Sequence, residues 1–164
     1  MLALVVSAAA LAAVGVTQAV GAYPNDFAIA KDKSGPYKSK GADADLPADN
    51  PQKQTQKVKP HRSATFFVRM QNSHDTMLGT HFTGDPTTGG FKVTYLMDGV
   101  DITSQVTGGN CLFIEVPAHG KVLVTMKIKA TGAGPGDSDY FGAAATGSLC
   151  DNPNDVVYAK VKVT

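Results

Sequence analysis

Four histidines, two cysteines and two groups of aspartates are the side chains of this 164-residue chain that could take part in chemistry. A transition-metal site needs three or four ligands that converge at about 2 Å. The spacing of the histidines predicts no such convergence, so we interpret all four as surface residues: His61, His74, His81 and His119.

The aspartates lie close enough together in the sequence to offer carboxylates to calcium. A calcium loop also needs carbonyl oxygens and a bidentate carboxylate in a tight turn, and the full spacing of such a loop is absent. We therefore expect neither a metal nor another cofactor, and we interpret both groups as solvated loop residues: Asp43, Asp45 and Asp49 in one, Asp137 and Asp139 in the other.

Cys111 and Cys150 are the only cysteines of the chain. In an exported protein, an even number of cysteines indicates a disulfide. This disulfide would close a loop of about 40 residues and stabilise the fold by about 4 kcal/mol. Two buried free thiols are the alternative. A dyad of Cys150 with a distant histidine is conceivable, but a disulfide accounts for both cysteines more simply.

Sequence motifs of catalysis and of nucleotide binding are missing. The chain has no Gly-x-Ser-x-Gly, no phosphate-binding loop and no Gly-x-Gly-x-x-Gly that enters a helix. Its net charge is +1, which predicts no basic field for nucleic acid. We expect neither an enzyme nor a nucleic-acid-binding protein.

Short segments with a hydrophobic residue at every second position predict the elements that carry these side chains. The clearest is KVLVTMKIK (121–129), which places apolar residues on one face and lysines on the other. Turn residues separate the segments, as in Asp98-Gly99, Gly108-Gly109 and Gly134-Pro135-Gly136. We predict strands over residues 26–30, 65–71, 78–83, 91–95, 102–106, 111–116, 121–129, 140–146 and 156–163.

Seven to nine short strands, each with one solvated face, predict a mainly β chain that folds as an antiparallel β-sandwich. Residues 31–57 are polar and rich in Lys, Asp, Pro and Gly, which predicts a long loop with at most a short strand. We assign residues 23–164 to this single domain.

Residues 1–22 have no charge and no proline, and Gln18 is their only strongly polar side chain. A helix of this length would measure about 33 Å, enough to cross a bilayer core of about 30 Å. One interpretation is a secretion signal with Val20-Gly21-Ala22 as its cleavage site. However, no Lys or Arg precedes the apolar run, which favours a long N-terminal hydrophobic α-helix that is retained.

The small residues and all-round hydrophobicity of this segment resemble the mature N-terminal helix of type IV pilin-like filament subunits. Those subunits wait in the membrane and then pack their helices into a filament core. Bacterial type IV pilins usually carry glutamate at the fifth mature position, and this chain has valine there. The resemblance is therefore closer to archaellin-like subunits, and it implies polymerisation contacts by Leu2, Val5, Val6, Ala9, Ala12, Ala13 and Val16.

A second resemblance covers most of residues 23–164. It is to a bacterial extracellular immunoglobulin-like module that recurs in secreted and cell-surface proteins. This resemblance implies an immunoglobulin-like sandwich, an exported location and a structural or adhesive role without catalytic residues. It is carried by VKPHRSATFFVRMQNSH (58–74), GGFKVTYLMDGVDITSQVTGG (89–109), VPAHGKVLVTMKIKA (116–130) and NDVVYAKVKV (154–163).

The expected function is that of a structural subunit of an extracellular helical filament, archaellum-like or pilus-like, for motility or surface adhesion. Its partners would be identical subunits, and the membrane before assembly. The alternative is a secreted monomeric binding module whose hydrophobic segment is cleaved, and whose ligand is a carbohydrate or a cell-surface protein. A membrane-anchored single-domain protein is a third interpretation.

Overall fold

A computed structural model describes residues 26–39, 50–146, 150 and 153–164. The hydrophobic segment 1–22, with the residues assigned to polymerisation, lies outside the described residues, as do Asp43, Asp45 and Asp49. Within the described part of the chain, no helix is both long enough and apolar enough to cross a bilayer.

Ten strands and one short helix form the described fold. Hydrophobic alternation predicts most of these strands to within a few residues. Their bounds are β1 Asp26–Ala30, β2 Lys53–Val58, β3 Ser63–Gln71, β4 Leu78–Gly84, β5 Phe91–Met97, β6 Val100–Asp101, α1 Thr103–Val106, β7 Leu112–Val116, β8 Lys121–Ala130, β9 Ser138–Thr146 and β10 Pro153–Val163.

The strands form two five-stranded sheets. Sheet 1 has the order β1-β3-β8-β5-β6, and sheet 2 has the order β2-β10-β9-β4-β7. Neighbouring strands are antiparallel, except that β2 pairs with β10 in parallel. The predicted β-sandwich is therefore present, but its second sheet is mixed.

The core lies between the inner faces of the two sheets and contains residues from both. Hydrophobic alternation in four of the predicted strands marks the positions that should face inward. All of these positions are buried apart from Val122, which is partly buried. These positions belong to β3, β5, β8 and β10: Phe66, Val68, Met70, Phe91, Val93, Tyr95, Val122, Val124, Met126, Ile128, Val157, Ala159, Val161 and Val163.

The predicted strand over residues 102–106 is wrong, because Thr103–Val106 forms the helix α1. Ile102 and Val106 are both buried, and a separation of four residues places them on one side of a strand and of a helix alike. Local polar bonds favour the helical turn. The Thr103 amide donates to Asp101 Oδ1 (2.9 Å), and the Thr107 hydroxyl donates to the Thr103 carbonyl (2.9 Å).

Strand β2 lies at the end of the segment predicted as a polar loop. Gln54 is buried in β2, and its Nε2 donates to the carbonyl of Ile29 in sheet 1 (3.5 Å). Gln56 Nε2 donates to the carbonyl of Thr65, also in sheet 1. Because amides take the place of apolar side chains on its inner face, β2 has no hydrophobic alternation in its sequence.

Candidate functional site

The two cysteines form a disulfide that ties two connections of sheet 2 together. Cys111 immediately precedes β7, and Cys150 lies between β9 and β10, with 5.8 Å between their Cα atoms. The bridge closes a segment of sequence separation 39. It therefore attaches the start of edge strand β7 to the connection between β9 and β10, across the intervening strand β4.

The predicted surface histidines are exposed, except for His81, which is half-buried beside the Phe113 ring (5.2 Å between centroids). Two loops meet where the His119 amide donates to the His74 carbonyl (3.2 Å). There, His119 Nε2 lies 2.8 Å from Asp75 Oδ1, with both side chains in solvent. Among the described residues, no group of three or more His, Cys, Asp or Glu side chains is placed to hold a metal ion.

The described aspartates of the second group serve local hydrogen bonds. Asp137 Oδ2 accepts from the Gly134 amide (2.8 Å), and Asp139 Oδ1 accepts from the Tyr140 amide (2.8 Å). The Asp137 bond closes a turn before β9, as expected for a loop aspartate. The interpretation as a solvated loop residue is wrong for Asp139, which is half-buried within β9.

A cleft of about 210 Å³ opens on the outer face of sheet 2. Its floor contains small residues of β4 and β9, namely Gly84, Gly142 and Ala144. We call it the Asp85 cleft, and its lining is Thr83, Gly84, Asp85, Gly142, Ala144, Val156 and Tyr158.

The absence of a side chain at Gly142 leaves room for Asp85 and Tyr158, the two side chains that form the walls of the cleft. A Cβ at this position would lie 3.1 Å from Tyr158 Cε1 and 3.2 Å from Asp85 Oδ2. The Gly142 amide donates to Asp85 Oδ2 (2.6 Å), and the Asp85 amide donates back to the Gly142 carbonyl (3.0 Å). A glycine therefore lets the carboxyl and the phenol ring both approach the sheet.

Burial of the carboxyl against this floor raises the pKa of Asp85. The negative charge of Asp139 raises this pKa further, and the hydrogen bond from the Gly142 amide partly offsets the rise. Burial and the nearby Asp85 charge also raise the pKa of Tyr158. A carboxyl beside an aromatic ring in a small cleft suits a hydroxyl-bearing group. The volume is below the 300–1,000 Å³ typical of drug-sized ligand pockets, so the cleft fits only a small group.

Four cations gather on the outer face of sheet 1. They are Arg62, Lys92, Lys127 and Lys129, and all are exposed. In the register of β5 with β8, Lys92 lies directly opposite Lys129. Lys127 lies on the same face of β8, two residues before Lys129. We call these four residues, with His61, the basic face.

The basic face borders a shallow depression of about 710 Å³. Ser63 and Thr94 add hydroxyl groups to its lining, and Leu96 adds an apolar surface. Among the ion pairs that the described residues form, none involves these four cations. The nearby acid is Asp101, whose pKa is lowered chiefly by hydrogen bonds from Thr103 and only slightly by the charge of Lys92.

His61 reaches the edge of the basic face through a tight turn. The Arg62 amide donates to the Lys59 carbonyl (3.1 Å), which closes the turn between β2 and β3. His61 occupies the left-handed region with a φ of 62°, which is uncommon for a residue with a side chain. This backbone places the imidazole beside Arg62 at the rim of the depression.

Sequence reasoning placed Lys127 and Lys129 on the face of their strand opposite the apolar residues, but it did not group them with cations of other segments. It missed the basic face because Lys92 belongs to another strand, and only the β5–β8 register brings it to Lys129. It missed the Asp85 cleft for the same reason, since Asp85 and Gly142 are 57 residues apart. The alternation in FKVTY and KVLVTMKIK was the one signal available, because it turns Lys92, Lys127 and Lys129 outward.

No protein-family profile and no curated protein matches the chain. Among solved structures, the chain is similar to the N-terminal domain of PorA, with a TM-score of 0.49 and 8% identity over 84% of this chain and 97% of that chain. It is also similar to part of a family 123 glycoside hydrolase from Clostridium perfringens, with a TM-score of 0.43 and 7% identity over 68% of this chain. The match spans 23% of the hydrolase chain.

Proposed function

We propose that this chain is a structural subunit of an extracellular helical filament, archaellum-like or pilus-like, for motility or surface adhesion. In this proposal, residues 1–22 form a helix that packs with identical helices in the filament core, and the sandwich lies outside. The observation that supports this proposal is the order of the two segments along the chain. An uncharged segment of 22 residues is followed, from Asp26, by the first strand of a disulfide-bonded sandwich.

An immunoglobulin-like topology is part of the proposal. The order β1-β3-β8-β5 in sheet 1 corresponds to strands A-B-E-D of that fold, and β4-β9-β10 in sheet 2 corresponds to C-F-G. Two features depart from the antibody pattern. The chain has no tryptophan, and its disulfide lies outside the equivalents of strands B and F.

Hydrophobic burial would supply the energy of assembly. Each Leu or Val side chain that becomes buried between helices contributes roughly 1.5–3 kcal/mol relative to water. Contacts between different patches of identical subunits generate a helix of subunits when they do not close into a ring, and the proposal requires this non-closing arrangement. Before assembly, the same segment would hold the subunit in the membrane.

Two measurements on the exported protein test this proposal. Mass spectrometry should find a mature chain that begins at or near Met1, and electron microscopy should show filaments. A mature chain that begins near Tyr23 would exclude polymerisation through this helix.

Substitution of Ala9→Asp or Ala12→Asp should abolish filaments, because an aspartate in an apolar helix core is costly to bury. The thermal unfolding of the sandwich should stay as in the parent protein. Ser104→Asp is the matched control, because Ser104 is exposed in α1, and it should leave filament abundance unchanged. Normal filaments from Ala9→Asp would contradict the core-helix proposal.

A secreted monomeric binding module is the second candidate function, with the hydrophobic segment removed on export. The Asp85 cleft favours it, because a carboxyl and an aromatic wall over a glycine floor offer contacts to a carbohydrate hydroxyl and ring. The mature N-terminus distinguishes the two functions, since this one requires a start near Tyr23 and particles of monomer size.

A further inference from the structure

We propose that the basic face binds an anionic polysaccharide, whose carboxylate or sulfate groups pair with Arg62, Lys92, Lys127 and Lys129. Because these residues all belong to the sandwich, binding is expected whether or not the chain polymerises.

The pairing of Lys92 with Lys129 is the first observation that supports an anionic ligand. Side chains directly opposite each other in an antiparallel pair have Cβ atoms about 4.5–5.5 Å apart, and like charges at such positions are destabilising. Lys127 lies about 7 Å further along the same face. The described residues form no ion pair with these lysines, so an external anion would relieve the repulsion.

The shape of the depression supports a polymer of sugars. Neighbouring strands lie about 4.8 Å apart. This distance is similar to the repeat of one sugar unit along a polysaccharide, so successive acidic sugars can meet successive strands. The hydroxyls of Ser63 and Thr94 offer hydrogen bonds to sugar hydroxyls, and Leu96 offers an apolar surface to a ring face. The depression has a volume of about 710 Å³, which is enough for several sugar units.

Other polyanions fit this surface less well. A single-stranded nucleic acid is bound largely by stacking of its bases on aromatic rings, and no Phe, Tyr or Trp lines the depression. Proteins bind a membrane surface by inserting protruding apolar residues. Leu96, the apolar residue of the lining, is half-buried and therefore does not protrude. The disulfide indicates an oxidising compartment, where acidic polysaccharides are found.

Binding of the full-length chain, in a non-ionic detergent, is measured by calorimetry against polygalacturonate and dextran sulfate, with neutral dextran as the uncharged probe. At least one anionic polymer should bind, and neutral dextran should not. The affinity should fall at least about tenfold between 50 and 200 mM salt, because charge neutralisation releases counterions. Failure of both anionic polymers to bind would overturn the proposal.

The variant Lys127→Gln/Lys129→Gln should weaken binding at least tenfold. Lys121→Gln/Lys162→Gln is its matched control, because it removes the same charge from two exposed lysines outside the lining of the depression, and it should change the affinity less than twofold. An equal loss of affinity in both variants would show that the polymer is attracted by net charge alone. That result would contradict a binding site at the basic face. Equal or tighter binding to phosphatidylglycerol vesicles or to a DNA duplex would overturn the assignment to polysaccharide.

The double variant should remain folded, and its melting temperature at low salt should equal or exceed that of the parent, because a like-charge pair has been removed. A lower melting temperature would show that the lysines stabilise the fold, and would contradict their assignment to a ligand.

Discussion

Gly84 of β4 lies directly against the ring of Tyr95 of β5, so that a Cβ at Gly84 would lie 2.3 Å from Tyr95 Cζ. Tyr95 is fully buried in sheet 1. Its hydroxyl is shared between the carbonyls of Asp85 and Gly142 (3.2 Å each), where β4 ends beside β9 in sheet 2. One side chain thus connects the core of the sandwich to the floor of the Asp85 cleft.

We expect Gly84→Ala to destabilise the fold by about 3 kcal/mol, because the new methyl group overlaps a buried ring that has no room to move. Gly79→Ala in the same strand is the matched control. Its Cβ would also lie 2.3 Å from an aromatic Cζ, that of Phe113, but the Phe113 residue is 50% exposed. That ring can swing into solvent, so the loss should be below about 1 kcal/mol. If urea unfolding showed an equal loss of unfolding free energy for Gly84→Ala and Gly79→Ala, the predicted difference between the two sites would be wrong.

Tyr95→Phe should cost about 1–2 kcal/mol in the free energy of unfolding, because it removes a buried donor and leaves two carbonyls short of a hydrogen bond. Tyr37→Phe provides the comparison, since the Tyr37 hydroxyl donates to the Lys33 carbonyl in an exposed turn (2.9 Å). That loss should stay within about 0.5 kcal/mol. Urea unfolding of both variants checks this difference. If Tyr95→Phe loses no more unfolding free energy than Tyr37→Phe, the Tyr95 hydroxyl does not stabilise the contact between the two sheets.

Asp85 should make the stability fall as the pH rises. Its pKa is raised above the ordinary value of 3.8 in the folded state. The folded protein therefore holds this proton more tightly, and the resulting stabilisation is complete below pH 3.8 and is lost as the pH rises through the folded pKa. The unfolding free energy of the parent minus that of Asp85→Asn should decrease over this range, and a constant or rising difference would contradict the assignment.

Asp101→Asn is the control of opposite sign. Hydrogen bonds from Thr103 lower the pKa of Asp101, so its contribution is present above pH 3.8 and is lost as the pH falls through the folded pKa. The parent-minus-variant difference should therefore increase with pH. The measurement is the free energy of unfolding in denaturant between about pH 2 and 7. The parent, Asp85→Asn and Asp101→Asn are compared under the same conditions.

Replacement of both cysteines, as Cys111→Ser/Cys150→Ser, should lower the unfolding free energy by about 4 kcal/mol, because a loop of sequence separation 39 is no longer closed in the unfolded chain. The double variant avoids an unpaired thiol. Urea unfolding of the oxidised parent, the reduced parent and the variant checks the value. A loss below about 1 kcal/mol would show that the disulfide does not constrain the unfolded chain.

Prediction from the sequence succeeds where a single strand carries the whole signal. In KVLVTMKIK and VVYAKVKV, alternation alone turns every second residue towards the core and the lysines outward, because successive side chains of a strand point to opposite faces. It fails at Ile102 and Val106, whose separation of four fits a strand and a helix equally well. It also fails at β2, where Gln54 occupies a buried position with its amide bonded to the other sheet.

The sequence by itself determined the sandwich of short strands, the residues that face its core and the one intramolecular cysteine pair available for a disulfide. Each of these follows from local spacing or from a count. Tertiary structure decided that Lys92 lies opposite Lys129 and that Asp85 lies on Gly142. These juxtapositions depend on strand order and register, which are set by packing between segments far apart in the chain, and no local pattern contains them.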